Sequence, residues 1–160
     1  MDEAFTIRQA VPADLPTILA HRRGMWEAMG FTDAAVLDLA DRTSREWTAR
    51  RMQSGEYLGW VAMGQRGEIL ASAGLWLQQW SGSPRNPSGR QAYVMNVFTE
   101  PEHRRAGLSR RLVNAILDWC RAQGIGMVSL HASDFGRPLY ESLGFRPTNE
   151  MRLKLDAIEK

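Results

Sequence analysis

The stretch NVFTEPEHRRAGLSRRLV, Asn96–Val113, decides the fold. It opens as an apolar strand, breaks at Pro101, turns through a short basic loop and enters a helix near Gly107. The helix is predicted to run to about Ala122, with Leu108, Leu112, Ile116, Trp119 and Cys120 on one face and Arg110, Arg111, Asn114, Asp118 and Arg121 on the rest. A helix N-terminus presents free N–H groups and the positive end of the helix dipole, so it attracts anions. Gly107 lets the backbone approach a phosphate, and Arg104 and Arg105 add charge beside it. The residues alone leave a second reading open, an ordinary strand–loop–helix corner with solvated arginines. The nucleotide loops GxxxxGK and GxGxxG are absent.

Working outward, QAYVMNVFT (91–99) is apolar on both faces, as a central strand should be. Before it, YLGWVAM and EILASAGLWLQQW read as a hairpin closed by GQRG (64–67). AFTIRQA (4–10) alternates as a half-buried first strand. Two helices are predicted between these strands, over 15–29 and 34–52, with Leu37, Ala40, Trp47 and Met52 inward and Gly55 closing the second. After the decisive stretch come a strand in GMVSLHA (126–132) and a short helix in GRPLYESLGF stopped by Gly144. A last strand is expected in EMRLKL (150–155), with Met151, Leu153 and Leu155 inward. The order β-α-α-β-β-β-α-β-α-β predicts a mixed α/β fold, a mainly antiparallel central sheet with helices on both faces.

Composition sets the outer bounds. The chain has 160 residues, 44% hydrophobic and 24% charged, which is ordinary for a globular protein and is expected to form a single domain over 1–160. Twenty basic and 18 acidic residues give a net charge of +2, so bulk charge does not imply nucleic-acid binding. One cysteine, Cys120, excludes an internal disulfide or a cysteine metal cluster, and it sits on an apolar helix face where thiols are usually inert. His21 and His103 lack ligand-like spacing, so no metal is expected. The opening acids Asp2 and Glu3 do not resemble a secretory leader, and no apolar run approaches the roughly 20 residues of a membrane helix. A cytoplasmic protein without a membrane partner is expected.

With these residues in view, EPEHRRAGLSRRLV resembles the acyl-CoA loop of the GNAT superfamily N-acetyltransferases, whose signature is [RQ]-x-x-G-x-[GA]. Arg104, Gly107 and Ser109 fill its three positions, with Ser109 in place of the usual Gly or Ala. LHASDFGRPLYESLGF resembles the family's second motif, a helix carrying a tyrosine before LGF, and Tyr140 takes that place. The resemblance implies acetyl-CoA as co-substrate. It implies backbone contacts to the pantetheine arm from Val97, Phe98 and Thr99, and a pyrophosphate wrapped by Arg104, Arg105, Ala106, Gly107, Leu108 and Ser109. Ser133, Gly136 and Arg137 match positions near the thiol end or the arm. Tyr140 would protonate the leaving thiolate.

The amine must arrive neutral, so a base or water relay is needed. His131 is a candidate with a suitable ordinary pKa, or else a structural histidine. Asn96 interrupts an apolar strand and either holds a water or acceptor or is a satisfied core amide. Glu27 and Glu100 are further carboxylates at usually solvated places. Trp26, Met29, Phe31, Trp76 and Trp80 are candidate acceptor walls or simply core aromatics, and Ser81–Gly89 is either a lid or a surface loop. The expected function is acetyl transfer to a primary amine of a small-molecule or peptide acceptor, with homodimerisation left open. The rival is a non-catalytic acyl-CoA-binding module of the same fold.

Overall fold

Alternating apolar side chains build one sheet in the computed structural model, which describes residues 5–155. Ala4, Asp2 and Glu3 lie outside the described residues. The strands are β1 (Thr6–Gln9), β2 (Tyr57–Met63), β3 (Ile69–Gln79), β4 (Arg90–Thr99) and β5 (Val128–Ser129), in the order β1-β2-β3-β4-β5. The first four pair antiparallel, while β4 and β5 pair parallel, so the sheet is mixed and mainly antiparallel as expected.

Helices cover both faces. On one lie α1 (Leu15–Ala28) and α2 (Ala34–Ser54). The Asp33 carboxylate caps α2 by accepting from the Ala35 and Val36 amides at 3.0 and 3.2 Å, and Gly55 ends it at φ +79°. On the other face lies α3 (Leu108–Ala122), whose Leu108, Leu112, Ile116 and Cys120 bury against Leu75, Ala92 and Val94. Trp119 packs edge-on to Trp60 at 5.9 Å. A short helix, α4 (Arg137–Ser142), follows β5, with Gly144 just beyond it at φ +95°.

Three expectations need correction. In α2, Leu37 is buried, but Ser44 and Thr48 are buried too, and Ala40, Trp47 and Met52 are only half-buried. The helix is rotated so that small hydroxyl side chains meet the core while Ala40 and Trp47 border a cavity. The strand expected over 126–132 shrinks to Val128–Ser129, since its pairing with β4 ends at Tyr93↔Ser129. The last expected strand, 150–155, is not a strand. Met151, Leu153 and Leu155 are 95%, 81% and 81% exposed rather than inward. Period-two alternation reports a strand's face but not whether a pairing edge exists, and β5 offers a partner only two residues long.

The core is tight where β2 pairs with β3. A Cβ at Gly74 would lie 2.2 Å from the Tyr57 hydroxyl, whose ring is 2% exposed. Gly74→Ala is therefore expected to destabilise the protein by about 2 kcal/mol, or roughly 4–8 °C in Tm, through overpacking. Thermal unfolding checks this, and an unchanged Tm would show that Tyr57 yields freely.

Candidate active site

The site begins with one extra residue in β4. Ser72 pairs with Phe98 and Gly74 with Met95, so Asn96 and Val97 together oppose Ala73 in a β-bulge. Asn96 takes φ +55°, a left-handed conformation for which asparagine is enriched among non-glycine residues. Its side chain hydrogen-bonds Tyr57, whose phenol burial pushes up to about 12. The bulge reverses the facing of the strand. Ahead of it, Ala92 and Val94 face α3, whereas beyond it Phe98 turns to α1 and meets the His21 ring at 5.1 Å. Gly24 makes room, since a Cβ there would stand 2.9 Å from Phe98.

His21 locks this crossing. Its Nδ1 lies 2.8 Å from Ser72 Oγ and its Nε2 lies 3.1 Å from a Glu100 oxygen. Burial lowers its pKa, outweighing the Glu100 carboxylate, so the ring is held neutral. The unfolded chain then takes up the proton first, near the ordinary histidine value of about 6.5. The stability that the neutral ring contributes is present above that pH and lost as pH falls toward the lower folded value. Tm of wild type is expected to drop from pH 7.5 to 5.5, and the drop to be smaller in His21→Gln. Parallel Tm curves would contradict this.

Strand pairing between β4 and β5 covers only Ala92↔Val128 and Tyr93↔Ser129. Beyond Tyr93 the two strands splay, and among the described residues the β5-facing edge of β4 from Val94 onward has no strand partner. An extended arm with amide groups fits such an edge. Val97 packs on the core, Phe98 is buried against α1, and the Thr99 carbonyl accepts from Arg104 Nε at 3.3 Å.

The loop after β4 fits an anion. Pro101–His103 form a single 3-10 turn, then Arg105 and Gly107 take φ +66° and +77°. The first helical bond of α3 runs from the Arg111 amide to the Gly107 carbonyl at 3.1 Å, which leaves the amides of Leu108, Ser109 and Arg110 open. The Leu108 side chain is in the core, so its amide alone faces the loop. Ser109 Oγ and Thr99 Oγ1 are 2.9 Å apart, tying the helix start to the strand end. Apart from its immediate chain neighbours, no atom of the described residues lies within 4 Å of a Cβ built at Gly107, so the space over the loop is open. Arg104 and Arg105 are exposed beside it, with Ala106 between them and Gly107.

The second motif is fastened to the first, because Arg110 Nη2 donates to Ser142 Oγ at 2.7 Å. Ser133 accepts from the Gly136 amide at 3.1 Å through Oγ and from the Arg137 amide at 2.9 Å through its carbonyl, which starts α4. A Cβ at Gly136 would lie 3.2 Å from the Tyr140 ring, so the glycine lets that ring close down. Arg137 pairs with Glu141 at 3.8 Å. The Tyr140 ring packs edge-on to Phe145 at 5.9 Å, and burial raises its pKa, which keeps the phenol protonated.

His131 stands just past β5 and joins three residues that the sequence did not single out. Its Nδ1 hydrogen-bonds the Tyr93 hydroxyl, and its Nε2 is 2.9 Å from Glu150 Oε1 and 2.6 Å from Arg152 Nη2. With Nε2–H donating to Glu150, Nδ1 accepts from Tyr93; with Arg152 donating to Nε2, Nδ1 carries the proton instead. Tyr93 lies opposite Trp76 on β3, on the α2 side of the sheet.

On that side a cavity of about 310 Å³ is lined by Arg22, Ala40, Thr43, Ser44, Trp47 and Met95. Trp76 meets Trp47 edge-on at 5.2 Å. Trp26 is half-buried and packs edge-on to Phe31 at 5.3 Å, while Met29 and Phe31 are half exposed. Trp80 is 60% exposed at the far end of β3, beyond the Gln79↔Arg90 pair, and does not join this group. Ser81–Gly89 closes that same far end, with Gln79 Nε2 donating to the Ser88 carbonyl at 3.0 Å. Glu27 pairs with Arg23 at 2.8 Å on the outside of α1. Trp47 is legible in the sequence as an inward residue but not as a cavity wall, and Arg22 is not legible at all, because a tryptophan at core spacing and an arginine on an exposed-looking helix carry no local mark of a cavity. Asn96 with its bulge had a signal, a polar residue known for positive φ inside an apolar strand.

Among the described residues no helix is long and apolar enough to cross a membrane, and no group of three or more His, Cys, Asp or Glu is placed to hold a metal. Residues 21–145 match the acetyltransferase (GNAT) family model. A crystal structure of a GCN5-related N-acetyltransferase from Ralstonia eutropha JMP134 superposes with a TM-score of 0.89 at 31% identity, covering 95% of this chain and 99% of that one. An L-methionine sulfoximine/L-methionine sulfone acetyltransferase of Pseudomonas aeruginosa is 32% identical over 157 residues, 91% of this chain and 83% of that protein. Glucosamine 6-phosphate N-acetyltransferase of Trypanosoma brucei brucei is 34% identical over 92 residues, and the match spans 58% of that protein's length.

Proposed function

This chain belongs to the acetyltransferase (GNAT) family, and from that premise we propose that it is a single-domain enzyme transferring acetyl from acetyl-CoA to a primary amine. The observation that carries the reading is the continuous path from the bulged, splayed edge of β4 into the open amides at the start of α3. The free edge at Val97–Thr99 would pair with the pantetheine arm, and the Arg104–Ser109 loop would receive the pyrophosphate. The relatives' acceptors, glucosamine 6-phosphate and L-methionine sulfoximine or sulfone, are small amines, which supports a small-molecule acceptor.

The chemistry follows from the chain's own groups. The neutral amine attacks the thioester carbon, the N–C bond forms and the C–S bond breaks. Tyr140, kept protonated by burial, gives its proton to the departing sulfur. The proton lost by the amine leaves through the Tyr93 hydroxyl to His131 Nδ1, and the Glu150 carboxylate stabilises the resulting imidazolium. Asn96 sits in the bulge with its side chain hydrogen-bonded to Tyr57. A binding-only module would need neither Tyr140 nor this relay.

Isothermal calorimetry with acetyl-CoA and with desulfo-CoA tests the reading. Both are expected to bind, since phosphates provide much of the anchoring, and saturating acetyl-CoA is expected to raise Tm by mass action. No heat and no thermal shift would overturn it, and binding without turnover of any amine would favour the module. The relay has its own expectation. Tyr93→Phe should lower kcat about 10-fold or more and shift the pH profile while acetyl-CoA affinity stays within a few-fold. An unchanged pH–rate profile would remove Tyr93 and His131 from the proton path.

A further inference from the structure

We propose that the acceptor carries a carboxylate, as an amino acid does, and that Arg22 binds it; the proposal rests on the acetyltransferase reading. Arg22 lines the cavity between α1, α2 and β4, and its side chain is only 16% exposed. Its Nη1 is buried and makes no hydrogen bond among the described residues. The nearest carboxylate, Asp41, stays 3.6 Å away through Oδ1, because its Oδ2 is held by Arg23 at 2.8 Å. Arg23 also gathers Asp38 and Glu27, at 2.9 and 2.8 Å, so the acids of this face are drawn outward to Arg23 rather than inward to Arg22. A buried guanidinium nitrogen without an acceptor is costly, and a ligand oxygen in the cavity would satisfy it.

The rest of the cavity indicates what accompanies that oxygen. Ala40, Trp47 and Met95 give apolar walls, and Thr43 and Ser44 add hydroxyl side chains. Trp47 is fixed by Arg51, whose guanidinium stands 4.3 Å over its ring, and by Trp76. Met95 directly precedes the bulge at Asn96 and lies two residues past the end of β5 pairing. A carboxylate on Arg22 therefore leaves an attached amine directed along β4 toward the splayed edge. With Asp41 close by, the cavity holds little surplus positive charge, which favours a singly charged carboxylate over a doubly charged phosphate.

The test compares L-methionine, L-leucine and L-phenylalanine with their carboxamides, and with O-phosphoethanolamine, as acceptors for acetyl-CoA. Wild type is expected to favour at least one free acid over its amide by about 10- to 100-fold in kcat/KM, the worth of a charge-assisted hydrogen bond. Arg22→Gln should bring that ratio near one, and Arg22→Lys should restore part of it, with acetyl-CoA affinity unchanged in both. The wild-type ratio needs no mutant and so stands even if Arg22 variants fold poorly. Equal use of acids and amides, acetylation of other amines but of no acid, or preference for O-phosphoethanolamine would each overturn the proposal while leaving acetyl transfer intact. Failure to bind acetyl-CoA at all would instead remove the underlying reading.

Discussion

Tyr140→Phe is expected to lower kcat by roughly 10²- to 10⁴-fold, the usual contribution of a positioned general acid. The ring is what packs against Gly136 and Phe145, and phenylalanine keeps it, so fold and acetyl-CoA affinity should change little. Only the proton donor is lost. Burial holds that phenol protonated at working pH, so wild type enters each turnover with the proton in place. Water can partly substitute, which places the expected loss at the lower end of the range. The loss should fall on kcat rather than on acetyl-CoA affinity, the pattern of an interaction made only in the transition state. It should shrink with an activated thioester whose leaving group needs less help. Steady-state kinetics on both proteins with natural and activated donors measure this; a full kcat in Tyr140→Phe with chemistry rate-limiting would assign the acid elsewhere.

Gly107→Glu is expected to weaken acetyl-CoA binding by about 100-fold or more. The new carboxylate would stand where the pyrophosphate approaches, and a like charge at roughly 5 Å across an effective dielectric near 20 is worth about 3 kcal/mol. The fold should suffer less. Open space around the Gly107 Cβ position means no clash, so the cost is the backbone strain of φ +77°, about 1–2 kcal/mol. Part of that is offset because an acid at a helix N-terminus is favourable. Gly107→Ala carries the strain without the charge, so its affinity should fall less than about 10-fold. Calorimetry on the two variants separates charge from strain. Wild-type affinity in a folded Gly107→Glu would remove the phosphate from this loop.

Much of this architecture is legible in the sequence because it depends on local rules. The apolar face of α3, the Gly144 stop after α4 and the GQRG turn follow from spacing and backbone preference. The placement of Arg104–Ser109 at a helix start follows from Pro101 and Gly107 in the same way. What was not legible depends on partners distant in the chain. Met151, Leu153 and Leu155 alternate like a strand, yet the edge they would need is two residues long. Tyr93, Glu150 and Arg152 look like surface and strand residues until the fold brings them to His131. Arg22 is one of twenty cations until Arg23 is seen to take its neighbouring acids. Asn96 marks the middle case, a local signal of positive φ whose consequence, the bulge opposite Ala73, appears only with β3 alongside.

The most direct test of the central claim is amine-dependent thiol release from acetyl-CoA, followed together with the mass of the amine product. The account predicts free CoA and N-acetylated amine in equal amounts, only when enzyme, acetyl-CoA and an accepted amine are all present. Thiol release that is independent of amine, or no release across a broad amine panel by protein that binds acetyl-CoA, would contradict it.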